Sequence, residues 1–180
     1  MHSKAGTIPQ TMPDLAPPSI ACHRSFLEAV QEFRAEGRLI DVDPLLLAGP
    51  DGFRRYVEHL RAEALPETPR PAGWVPATNL WYVEGGEFLG RLSIRHRLTE
   101  SLRRVGGHIG YEVRPSARRR GHATDMLRRA LPVARDLGID PALVTCDAVN
   151  VASRRVIEHN GGRLAEEEHG GKLRFWVPTS

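Results

Sequence analysis

Lysine is nearly missing from this 180-residue chain: Lys4 and Lys172 are the only two among 25 Lys+Arg residues. Against 22 Asp+Glu the formal net charge is just +3, and a nucleic-acid-binding domain normally shows a denser basic face. Nucleic acid is therefore a disfavoured partner. Cysteine is scarce too. Cys22 and Cys146 lie far apart and in no metal-ligand spacing, which excludes a disulfide framework and fits a reducing cytoplasm. His96, His159 and His169 are scattered, no HExxH occurs, and no metal is expected. No apolar run approaches the ~20 residues that span a bilayer, so no membrane partner is expected. Met1 to Pro18 has no apolar centre and reads as a mobile leader before one domain over 19–180. The lysine-bearing P-loop and the GxGxxG dinucleotide fingerprint are absent as well.

With 41% hydrophobic residues, the chain can bury a core without covalent staples. Phe26, Leu27, Val30 and Phe33 recur at helical spacing and predict a helix over 25–36, stopped by Gly37; Phe53, Tyr56, Val57 and Leu60 predict another over 51–64. Four prolines make 65–76 a loop. The period then shifts towards two, predicting a hairpin over 79–98 around Gly85-Gly86 and strands at 108–113, 142–146 and 173–177. Between them lie two helical stripes, the first of which should kink at Pro132. The expected class is α+β: a mixed, mostly antiparallel central sheet flanked by helices, ending in β-α-β-α-β.

The segment Arg114 to Thr124 links the strand ending at Val113 to the first of those helices. A short basic turn in that place leaves the first helical amides unpaired, and these bind phosphate oxygens with help from the helix dipole. Arg118, Arg119 and Arg120 add charge-assisted donors. Such a cradle suits a nucleotide, coenzyme A or a nucleic-acid backbone. Its spacing, Arg118-x-x-Gly121-x-Ala123 after Val113-x-Pro115, resembles the pyrophosphate loop of the GNAT superfamily of N-acetyltransferases. A second block, Asn150-x-x-Ser153 followed by Glu158 and Gly161-Gly162, is similar to that family's strand–Asn–helix–Gly segment.

The resemblance implies acetyl-CoA as cosubstrate and a primary amine, on a small molecule or a protein, as acceptor. Family analogy alone suggests a homodimer. It implies that Val113 meets pantetheine, that Arg114, Arg118, Arg119, Arg120, Gly121, His122, Ala123 and Thr124 surround the pyrophosphate, and that Asn150 and Ser153 contact the pantetheine or adenylate side. It also implies a base at the start of the strand before the cradle. His108 stands in that register, and Glu112, four residues on, is the alternative base or a water-positioning partner. Relatives often carry a tyrosine as general acid on the last helix, where this chain has Ile157; Tyr111, Cys146 or water would have to replace it. A non-catalytic CoA-binding module is the competing reading.

Overall fold

The computed structural model describes residues 12–39 and 42–180. Seven strands form one sheet in the order β1-β2-β3-β4-β5-β7-β6. They are β1 (Asp14–Ala16), β2 (Ala77–Glu84), β3 (Glu87–Arg95), β4 (Ile109–Val113), β5 (Ala142–Asp147), β6 (Arg163–His169) and β7 (Lys172–Val177). Every neighbouring pair is antiparallel except β4 and β5. Two helices pack on each face: α1 (His23–Ala35) and α3 (Pro50–Ala62) on one, α5 (His122–Asp136) and α6 (Val151–His159) on the other. Short helices α2 (Pro44–Leu47) and α4 (Glu100–Arg104) fill the connections. The expected mixed, mostly antiparallel α+β architecture is the one observed.

Each face has its own core, as the alternation of strand side chains requires. On the α1/α3 side Phe26 stacks on Trp81 at 4.8 Å and meets Phe88 edge-on at 5.1 Å. On the α5/α6 side Met126, Leu127, Ala130 and Ile157 are fully buried against β3, β4 and β5. α5 continues past Pro132 to Asp136. A proline removes one backbone donor, and here that does not end the helix.

Periodicity did not reveal β1, α2, α4 or β6. β1 corrects the expected leader: Asp14, Leu15 and Ala16 pair with Val83, Tyr82 and Trp81 inside the 1–18 segment, while residues 1–11 lie outside the described ones. A strand this short has too few residues to show alternation. Among the described residues no helix is long and apolar enough to cross a membrane.

Candidate active site

β4 runs through a short 3-10 turn at Pro115–Ala117 into α5. Arg119 and Gly121 adopt left-handed backbone, with φ of 63° and 82°. Turns of this kind aim successive amides into one concavity. Among the described residues, the amides from Arg119 to Thr124 have no acceptor, and no side chain caps α5. A Cβ added at Gly121 would meet nothing within 4 Å. The start of this helix therefore opens onto free space, with donors enough for a pyrophosphate.

The four arginines expected around the pyrophosphate are engaged differently. Arg114 turns away to α1, where its Nε donates to Glu32 at 2.7 Å and its Nη1 to Ser25 at 3.1 Å. Arg118 forms a two-pronged pair with Glu36, both bonds at 2.8 Å, and its Nε donates to the Val113 carbonyl at 3.1 Å. Glu32 also accepts from the Ser116 amide at 2.9 Å and the Ser116 hydroxyl at 3.0 Å. Burial raises the Glu32 pKa, but the bonds from Ser116 and Arg114 outweigh it and leave the pKa lowered. Glu36 is lowered chiefly by its bond from Arg118. Two arginines and two glutamates thus fasten the cradle to α1, while Arg119 and Arg120 remain exposed at its rim. Sequence reasoning missed the glutamates. Their signal was there, since Glu28, Glu32 and Glu36 recur every four residues along one helical stripe.

Behind the cradle the sheet opens. β4 and β5 share the single pair Ile109–Val144, whereas β3 follows β4 from Ile109 to Val113. At this opening Asn150 caps α6, its Oδ1 accepting from the Ser153 amide at 3.0 Å. The Ser153 hydroxyl lies 2.9 Å from the Tyr111 hydroxyl, across from β4 to α6. Burial pushes the Tyr111 pKa up to about 12, against the opposing bond from Ser153, so Tyr111 keeps its proton at neutral pH. Ile157 is fully buried in the core. Burial also raises the Cys146 thiol pKa and disfavours the thiolate that nucleophilic attack needs.

His108 is where the geometry departs most from expectation. It is 9% exposed, and its Nδ1 accepts from the Leu143 amide at 2.9 Å. An imidazole accepting at Nδ1 carries its proton on Nε2 and has no second lone pair for a substrate proton. Burial first, then the charges of Arg103 and Arg95, lower its pKa to about 4. His108 instead fastens β4 to β5 where they last meet. Gly107 permits this approach, because a Cβ there would stand 2.4 Å from the Leu143 oxygen.

A pH dependence follows. With the folded pKa of His108 below the usual 6.5, the unfolded chain binds a proton first, so stability present above pH 6.5 is lost as pH falls to about 4. His96, lowered by burial and by Arg70, acts in the same direction. A second loss comes at lower pH. Asp125, whose burial is outweighed by bonds from Tyr82, Arg129 and Arg128, titrates at about 2 instead of 3.8. Thermal unfolding across this range should show both losses, and His108→Asn, which retains an acceptor, should shrink only the first.

Glu112 lies on the other sheet face, in a cleft of about 1120 Å³ lined in part by α2 and α3. Arg91 binds its Oε2 at 2.7 Å, and Arg38 binds its Oε1. The side chain is 18% exposed. Gly110, Tyr111, Ser93 and Trp81 also line the cleft. Cradle and cleft thus both border β4, the cradle following its C-terminal end and the cleft lined by Gly110, Tyr111 and Glu112. Of the two expected bases, only Glu112 reaches a cavity that could hold an acceptor. No group of three or more His, Cys, Asp or Glu among the described residues could hold a metal ion.

Known proteins share this fold. The structure of Mycobacterium smegmatis RimJ in complex with a CoA disulfide is similar at a TM-score of 0.65, with 21% identity over 92% of this chain and 81% of that one. The microcin C7 self-immunity acetyltransferase MccE, in complex with acetyl-CoA and AMP, gives 0.62 with 14% identity over 95% and 97%. A Salmonella typhimurium acetyltransferase that modifies the N-terminal serine of ribosomal protein L7/L12 gives 0.55 with 17% identity over 92% and 94%. No curated protein matches significantly. The profile of the acetyltransferase (GNAT) domain matches residues 34–163, well over half of the sequence, and the chain belongs to that family.

Proposed function

We propose that this protein transfers an acetyl group from acetyl-CoA to a primary amine. One observation carries the reading: an open amide cradle follows directly on β4, the strand whose Gly110, Tyr111 and Glu112 line the open cleft and which pairs with β5 only at Ile109. The amides from Arg119 to Thr124 would hold the pyrophosphate, with Arg119 and Arg120 at its rim. The groove of about 420 Å³ beside Gly121, lined by Arg128, Arg155 and His159, would take the adenylate end. Asn150 and Ser153, at the first turn of α6, would border the pantetheine arm.

Acetyl-CoA supplies an activated thioester; the chain's own residues do the rest. Glu112 takes the proton of the amine directly or through one water. Tyr111, held by Ser153, donates a hydrogen bond towards the departing sulfur and stands in for the tyrosine that Ile157 replaces. RimJ and MccE support the cosubstrate by their bound CoA and acetyl-CoA. The Salmonella neighbour acts on a protein N-terminus, and both protein and small-molecule amines are candidate acceptors here.

Calorimetry should show acetyl-CoA binding, and a panel of amines should yield CoA release with at least one member. Absence of binding at millimolar ligand overturns the proposal. The apolar Ile157 favours one competing reading, a CoA-binding module without catalysis; tight binding with no release across the panel would establish it.

A further inference from the structure

The acceptor cleft is richer in cations than in free anions. Arg38, Arg70, Arg91 and Arg95 line it, against Asp43, Glu63 and Glu112. All three carboxylates are already engaged. Asp43 caps α2 by accepting from the Leu45 amide at 2.9 Å. Glu63 accepts from Asn79 and lies 3.4 Å from His59. Glu112 alone serves two guanidinium groups, those of Arg38 and Arg91.

Arg70 and Arg95 bind backbone carbonyls instead: Arg70 those of Pro66 and Leu65 at 3.0 and 2.6 Å, Arg95 those of Gly106 and Gly107 at 3.0 and 3.2 Å. Carbonyl dipoles orient a guanidinium without cancelling its charge. The two arginines on Glu112 are also incompletely used. Arg38 binds it through Nη2 alone and Arg91 through Nε and Nη2. Among the described residues the remaining N–H groups of both have no acceptor, and their side chains are 50% and 36% exposed. A guanidinium with spare forked donors beside a cavity matches a carboxylate or phosphate. Trp74, 64% exposed on the cleft wall, offers an apolar face beside them.

We propose that the acceptor is an anionic amine, a primary amine bearing a carboxylate or phosphate, and that Arg38 and Arg91 bind its anionic group. The assignment rests on the acetyl-transfer reading. Both signs of such a molecule find a partner here: the guanidinium forks hold the anion, and Glu112 faces the amine.

Matched pairs test this. Amino acids beside their carboxamides, and aminoalkyl phosphates beside the corresponding amino alcohols, are titrated calorimetrically into CoA-saturated protein. At least one anionic member should bind about tenfold more tightly than its neutral partner, the equivalent of one good charge-assisted contact. The two series tell carboxylate from phosphate. Arg38→Gln should remove about tenfold for the anionic member only, and Arg91→Lys, which keeps charge but loses the fork, should fall between. The proposal is overturned if neutral members bind equally well, if no member binds, or if the variants weaken both members alike. CoA affinity is measured first. Should wild-type protein bind no CoA, the acetyl-transfer reading fails on its own, and the same pairs titrated into free protein still decide the anion preference.

Discussion

Glu112→Gln is expected to lower kcat for CoA release about 100- to 1000-fold, the range for losing a positioned base, while CoA affinity stays within about twofold. Glutamine is nearly isosteric and can still accept from Arg38 and Arg91, so geometry persists while basicity is lost. Both arginines are at least one-third exposed, and relaxing their charge pairing should cost little stability. His108→Asn is the companion variant: it preserves an acceptor for the Leu143 amide and should leave kcat near wild type. An unchanged kcat in Glu112→Gln would assign proton removal to water. A collapse of kcat in a folded His108→Asn protein would restore the histidine as base.

Glu32→Ala should cost about 3 kcal/mol of stability, as removing one partner of a largely buried ion pair does, and lower Tm by roughly 6–12 °C for a chain of this length. Glu32 lies outside the cradle, yet it binds the Arg114 Nε, the Ser116 amide and the Ser116 hydroxyl together. Arg114, only 12% exposed, would be left with Glu28 at 3.5 Å and Ser25. Acetyl-CoA affinity should drop about tenfold as well, because donors that are no longer preorganised must be ordered on binding. Glu32→Gln keeps an acceptor for Ser116 and should give an intermediate loss. Arg119→Ala combined with Arg120→Ala is the contrast, with weaker CoA binding and unchanged Tm. If Glu32→Ala leaves both Tm and affinity untouched, the α1 clamp plays no part in shaping the cradle.

Much of this protein was legible along the chain. Local signals were enough wherever an element packs one periodic face, as with Phe26, Val30 and Phe33 on α1 or Met126, Leu127, Ala130 and Ala134 on α5. The cradle was legible too, because a strand, a glycine with positive φ and a helix start follow each other directly. The three-residue β1 and five-residue α4 were not, being too short for a period to register.

Residue types and spacing by themselves determined the α+β class, the family resemblance and the place where helix amides lie open, since all three depend on neighbours in sequence. Tertiary structure decided what the charged and titratable side chains do. His108, just before β4, and Glu112, within it, are four residues apart, yet one is spent on the Leu143 amide and the other reaches the cleft. Arg118 and Arg119 adjoin, yet only Arg118 meets Glu36, 82 positions away. A hydrogen bond or a desolvation penalty depends on what folding brings within a few ångströms, and sequence spacing does not encode that distance.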